Sequence, residues 1–208
     1  MSGWEAPPRE LVPGVVHWTT FHEGIDEPVS SYLVVDGGVL LDPRVPEGGF
    51  EALAERFAEP RAVVLTNRHH YRHTGQVLAR WDVTVHCHAS GLYEFGPDQP
   101  VQGFAFGDAL PGGAVAEALG VLCPDETAVW FPHLRTLALA DALVRQPPDA
   151  APGFVPDELI GDDPEAVKTG LRQGFARLAE LAPANVLLAH GNPLVGNGQA
   201  ALERAAAG

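Results

Sequence analysis

At 208 residues, 46% of them hydrophobic, the chain is long enough for one sizeable core and short for two, which points to a single domain over 1–208. A formal charge of −14 argues against nucleic acid and anionic membrane surfaces as partners, since both are bound mainly through Lys and Arg. No window is apolar for long enough to span a bilayer, and Met1-Ser2-Gly3-Trp4-Glu5 has neither the basic region nor the apolar run of a leader, so a soluble, cytoplasmic protein is expected. Of the 13 basic residues only Lys168 is a lysine, and with abundant Ala, Gly and Pro this reflects bacterial-like genome composition rather than chemistry. Cys87 and Cys123 have no Cys-x-x-Cys spacing and read as two buried thiols.

In chain order, Val15 to Phe21, Val29 to Val35 and Val39 to Asp42 are strand-like runs separated by acidic or Gly-Gly turns. Phe50 to Phe57 carries a helical apolar period. Ala62 to Thr66 predicts a further strand, Thr74 to Trp81 a helix and Val83 to His88 a strand, an alternation that implies a sheet with helices on at least one face. Between Val101 and Leu143 short strands return as a second meander, at Gln102 to Phe106, Ala114 to Ala118, Ala128 to Phe131 and Thr136 to Leu139, with Pro132 to Arg135 as a turn. Pro147 to Pro156 is Pro-rich and reads as an exposed loop. Asp162-Asp163-Pro164-Glu165 starts a helix with acidic groups at the positive end of its dipole, and Ala166 to Leu181 continues it. Asn185 to Ala189 is a last buried strand, His190-Gly191-Asn192-Pro193 stands at its end, and Gln199 to Ala207 closes the chain as a helix. Two halves, each a meander followed by helix and strand, predict an α/β fold: a four-layer αββα sandwich of two mixed β-sheets flanked by helices.

The most informative stretch is Val63 to Gly75, an apolar β-branched run that ends in Thr66 and opens onto Asn67-Arg68-His69-His70-Tyr71-Arg72-His73. A strand that delivers polar side chains to a sheet edge in this way marks the usual position of an active site in layered α/β proteins. The order of elements, Thr66 before a His-containing loop, Ala140-Asp141 after a late hairpin and the strand-terminal Leu187-Leu188-Ala189-His190-Gly191 together resemble the metallo-β-lactamase superfamily.

That resemblance implies a His-x-His-x-Asp-His loop after the Thr, a lone downstream His, a bridging Asp and a final His. Such ligands hold two metal ions, commonly zinc, which make bound water acidic enough for hydrolysis. Counted from Thr66, the four loop positions are Asn67, His69, Tyr71 and Arg72, so only His69 matches. No His lies between Ala89 and Pro132, whereas Asp141 and His190 match the bridging Asp and final His. A dinuclear centre is therefore not expected, and the cofactor is either none or a single zinc or iron ion. Arg72, a permanent cation at a ligand position, is expected to occupy the second cation's place and pair with Asp141. Asn67 and Tyr71 would form a hydrogen-bond network joining His69 and His190. A mononuclear site from His69, His73, Asp141 and His190 is the rescue, with His69 and His73 at i, i+4 spacing; the ordinary reading leaves His70 and His73 as loop and first-turn residues facing water. Asp42 resembles a position that supports the site from below, and reads equally well as a turn-initiating Asp before Pro43.

Other candidates are weaker. His86 and His88 flank Cys87 at strand spacing without a nearby third ligand; His17, His22 and His133 are expected at the surface. Ser2, Ser30, Ser31 and Ser90 lie in no Gly-x-Ser-x-Gly elbow, and Gly112-Gly113 and Gly196-Asn197-Gly198 are turns without a phosphate-loop or dinucleotide pattern. Two functions remain open. One is a hydrolase homologue with an eroded metal centre, metal-free or at most mononuclear, that has lost or narrowed the ancestral hydrolysis; any residual cleavage of esters or thioesters of a small-molecule substrate would use His190 or a single metal to activate water, Asp141 to orient it and Arg72 or Tyr71 to stabilise the oxyanion. The other is a non-catalytic module that holds a small anionic ligand through a pocket of Arg68, Arg72, Asn67 and the His cluster around His70.

Overall fold

A computed structural model describes residues 5–208; Met1 to Trp4, on which most of the leader reading falls, lie outside the described residues. The first sheet holds β1 (Ala6–Val12), β2 (Val15–His22), β3 (Glu27–Val34), β4 (Val39–Leu41), β5 (Ala62–Val64), β6 (Thr84–His88) and β7 (Val101–Phe104), side by side in sequence order. Pairing is antiparallel through β4 and parallel from there to β7. The second sheet holds β8 (Ala109–Leu110), β9 (Ala114–Ala118), β10 (Thr127–Phe131), β11 (Thr136–Leu139) and β12 (Asn185–Leu188) in spatial order β12-β11-β10-β9-β8, with only β11 and β12 parallel. Both sheets are mixed, as expected.

Strand alternation sorts the core into three interfaces. On the first sheet Val16, Leu40 and Val63 face outward with Phe50 and Leu53 of α1 (Gly49–Arg56) and Val77 of α2 (Thr74–Leu78), while their neighbours Val15, Leu41 and Val64 face the second sheet. On the second sheet Ala138 and Leu187 face inward, and Leu137, Leu139, Val186 and Leu188 face outward. The outer set packs under Leu171, Phe175 and Leu178 of α3 (Pro164–Ala179) and Leu202 of α4 (Gly198–Ala207). Helix, sheet, sheet and helix are thus the four layers of an αββα sandwich. No helix among the described residues is long and apolar enough to cross a membrane.

Three departures from the sequence reading have physical causes. β1 was not expected, because Pro7 and Pro8 argue against a strand; it is an edge strand, where a missing N–H is tolerated. β7, read as the start of the second meander, instead pairs in parallel with β6 and ends the first sheet. His17, expected at the surface, is only 1% exposed, donor or acceptor to Ser30 Oγ at 3.0 Å and stacked on Tyr32. Burial, with Arg9 nearby, lowers its pKa to about 4.

Phe175 is wholly buried between α3 and the second sheet, so Phe175→Ala should cost about 3–5 kcal/mol, read as a lower urea midpoint at unchanged slope. A cost below about 1 kcal/mol would show that this layer is not packed as described.

Candidate metal-binding site

The site forms where β4, β5, β11 and β12 end. Asp42 follows β4 with a positive φ of 47° and turns its carboxylate toward the end of β5. There it accepts from Thr66 N at 2.9 Å and Thr66 Oγ1 at 2.5 Å, and its Oδ2 lies 3.0 Å from His70 Nδ1. The turn after Thr66 is a 3-10 helix, Arg68–Tyr71, started by Asn67, whose Oδ1 accepts from His69 N. This turn points His70, not His69, inward.

Three side chains converge. His70 Nε2 lies 3.3 Å and His190 Nε2 3.1 Å from Asp141 Oδ1, and one ligand atom from each residue falls within 4.8 Å of the others. Asp141 Oδ2 accepts from Asn67 Nδ2 at 2.7 Å. Behind His190, Nδ1 faces Glu27 Oε2 at 3.6 Å, and Gln146 donates to both Glu27 oxygens. The result is an alternating row of carboxylates and imidazoles, Asp42, His70, Asp141, His190 and Glu27.

Electrostatics follow this alternation. Burial pushes His70 toward neutrality, yet Asp141 and Asp42 outweigh both burial and the Arg72 charge and raise its pKa to about 9. Burial alone would raise Asp42 and Asp141; their imidazole neighbours reverse the direction and hold both carboxyls below the usual range. Glu27 is lowered chiefly by its hydrogen bond to His190. Glu126, absent from the sequence reading, is wholly buried beside this row: Oε1 accepts from Ala142 N at 2.6 Å, Oε2 has no partner, and burial with Asp141 nearby raises its pKa to about 8. Asp125-Glu126 looks like a surface turn in the sequence, and nothing there signals its burial.

The expected site residues fare differently. His70, Asp141, His190 and Asn67 come together. His69 is exposed and reaches only the cavity wall. His73 turns away, its Nδ1 accepting from Val45 N at 2.9 Å, so the rescue ligand set is not assembled. Tyr71 packs its ring against Phe95 instead of facing the cluster, because an aromatic ring gains more in the apolar layer under the first sheet. Arg68 pairs with Asp125, which also accepts from Arg68 N, so it is not a free anion-binding group. Arg72 does line the cavity, but its Nη1 donates to the carbonyls of Ser30 at 2.7 Å and Asp42 at 2.9 Å rather than to Asp141, whose oxygens are already taken. Its φ of 44° is strained for a non-glycine residue, and these two bonds hold it there. Cys87 and Cys123 are free thiols, the first buried and the second half-buried.

The three side chains form a possible metal-binding group. Asp141 Oδ1 lies 3.1–3.3 Å from both imidazole nitrogens, close to the spacing of two ligands on one tetrahedral ion with bonds of about 2.0–2.1 Å, and each imidazole has a carboxylate behind its other nitrogen, the usual outer support of a ligating histidine.

Asp42→Ala should destabilise the fold by about 3–5 kcal/mol in urea titrations, since it leaves His70 and Thr66 buried without their acceptor; a loss under about 1 kcal/mol would refute that role. His70 is raised from 6.5 to about 9 and Glu126 from 4.5 to about 8, so each contributes stability below its unfolded value that is lost as pH rises through its folded value. Chelator-treated protein should therefore lose stability, by about 3 kcal/mol from His70 alone, between pH 6.5 and pH values above 9; an unchanged or rising urea midpoint would contradict this.

No family model matches the chain, and no curated protein does. Solved structures do. The metallo-β-lactamase family protein TTHA1429 from Thermus thermophilus is similar at 18% identity and a TM-score of 0.69, over 95% of this chain and 80% of that one. A metallo-β-lactamase from Erythrobacter litoralis matches at 18% identity and TM-score 0.70, covering 100% and 96% of the two chains. Rubredoxin oxygen:oxidoreductase from Desulfovibrio gigas matches at 13% and 0.67, over 96% of this chain and 61% of that one. The layers, the mixed sheets and these likenesses agree: the chain has the metallo-β-lactamase fold.

Proposed function

We propose that the protein is a hydrolase of ester or thioester bonds that works with one metal ion, zinc or iron, held by His70, Asp141 and His190. The observation that carries this reading is the convergence of two imidazole nitrogens on one carboxylate oxygen, with Asp42 and Glu27 behind the two rings. A bound ion would supply Lewis acidity, lowering the pKa of water and polarising a carbonyl. The chain's own groups do the rest. Asn67 fixes the Asp141 carboxylate by its bond to Oδ2. Asp42 and Glu27 set the orientation of the two rings and make them better ligands. Arg72 sets a permanent positive charge in the cavity wall, where it favours negative charge developing on a substrate oxygen. Tyr71 packs on Phe95 and Arg68 pairs with Asp125, so neither faces the three side chains.

Elemental analysis of the purified protein after zinc or iron supplementation should find about one ion per chain, and turnover should appear on generic acyl esters or thioesters. Asp141→Asn and His190→Ala should release the ion, and Glu27→Gln should weaken its binding about tenfold while leaving the fold intact. Two ions per chain, or none retained by the unaltered protein, would sink the reading.

A further inference from the structure

We infer that the substrate carries an apolar acyl chain, its carbonyl placed at His70, Asp141 and His190 and its tail reaching Ile25 and Leu159. The inference rests on the hydrolase reading and adds the substrate class. A cavity of about 510 Å³ opens beside the three side chains, within the size range of small-molecule sites. Val29 and Val144, both buried, and Leu122 and Val155, both half-buried, form its apolar walls. Ile25, on the turn between β2 and β3, and Leu159, on the 3-10 turn Asp157–Leu159, also line it, although they are 50% and 69% exposed. They are two of the four exposed large hydrophobic residues among the described residues, so two separate loops present unpartnered apolar side chains to one cavity.

Much of the polar lining other than His22 and His69 is already engaged. Asp141 is engaged by His70, His190 and Asn67, Gln146 is spent on Glu27, and Arg72 Nη1 is bonded to two carbonyls. The apolar walls are the part of the lining that favours a tail through burial. In the reaction the oxygen of water bonds to the acyl carbon and the C–O or C–S bond breaks. The leaving oxygen or sulfur keeps the bonding pair and takes a proton, giving a carboxylic acid and an alcohol or thiol.

Binding of methyl alkyl ketones of increasing length, which keep the carbonyl and the tail but cannot be hydrolysed, tests this by calorimetry on the intact protein. Affinity should rise about fourfold for each added methylene until the cavity is filled. Ile25→Glu and Leu159→Glu, both at exposed positions that should not perturb folding, should each weaken the longest ketones at least tenfold more than the shortest. A flat series in the unaltered protein, or an unchanged series in both variants, would overturn the proposal. A rising series without ester turnover keeps the tail site and removes the hydrolase reading; turnover with a flat series does the reverse.

Discussion

The Asp42 carboxylate is the interaction on which the site is built. A buried carboxylate is costly unless its oxygens are hydrogen-bonded, and here they accept from the backbone and hydroxyl of Thr66 and face His70. That arrangement joins the end of β4 to the end of β5 and fixes the ring plane of His70 from behind. The Asp42 carbonyl, in turn, accepts from Ser31 Oγ and from Arg72, so the residue organises its surroundings through backbone and side chain together. Its positive φ is the conformational cost of facing both ways.

A site shared between two sheets also needs the sheets held in register, and apolar packing alone tolerates small slips. Directional bonds supply the missing constraint near the cluster. Tyr32 Oη donates to Leu188 O at 2.7 Å and accepts from Leu188 N, Ser30 N donates to Ala189 O, and Thr127 N donates to Thr66 O. These bonds lie immediately before His190 and beside Asn67, so each sheet brings its ligands to the other at a fixed distance.

The layers were legible in the sequence because burial on strands and helices leaves periods of two and of 3.6. The edge strand β1 was not, since Pro7 and Pro8 mask a strand whose outer N–H groups have no partner to lose. Asp141 and His190 were legible through the family resemblance, which places a bridging Asp and a final His at the ends of these two buried strands. The choice between His69 and His70 was not: adjacent residues of a 3-10 turn point about 120° apart, so a one-residue difference in where the turn starts exchanges inside for outside. Asn67 decides it by capping His69 N, a side-chain bond that no residue count from Thr66 contains. Arg72 was placed in the right cavity with the wrong partner, because a guanidinium satisfies carbonyls as readily as carboxylates once the carboxylate is already engaged.

Charge balance explains which of the buried acids ionise. Asp42 and Asp141 each have a cation within reach, His70 for both and Arg72 for the backbone around Asp42, and both are held below the usual carboxylate range. For Glu126, burial and the like charge of Asp141 outweigh its backbone donors and the pull of His70, and raise its pKa to about 8. The metal-free site is thus close to neutral already, with a protonated His70 bridging two carboxylates. A divalent ion at the three side chains has to displace that proton from Nε2, because the nitrogen that faces Asp141 cannot both donate to it and ligate. An ion held by these three side chains would therefore release a proton on binding, and the carboxylates that would support His70 as a ligand are the ones that make the proton its competitor.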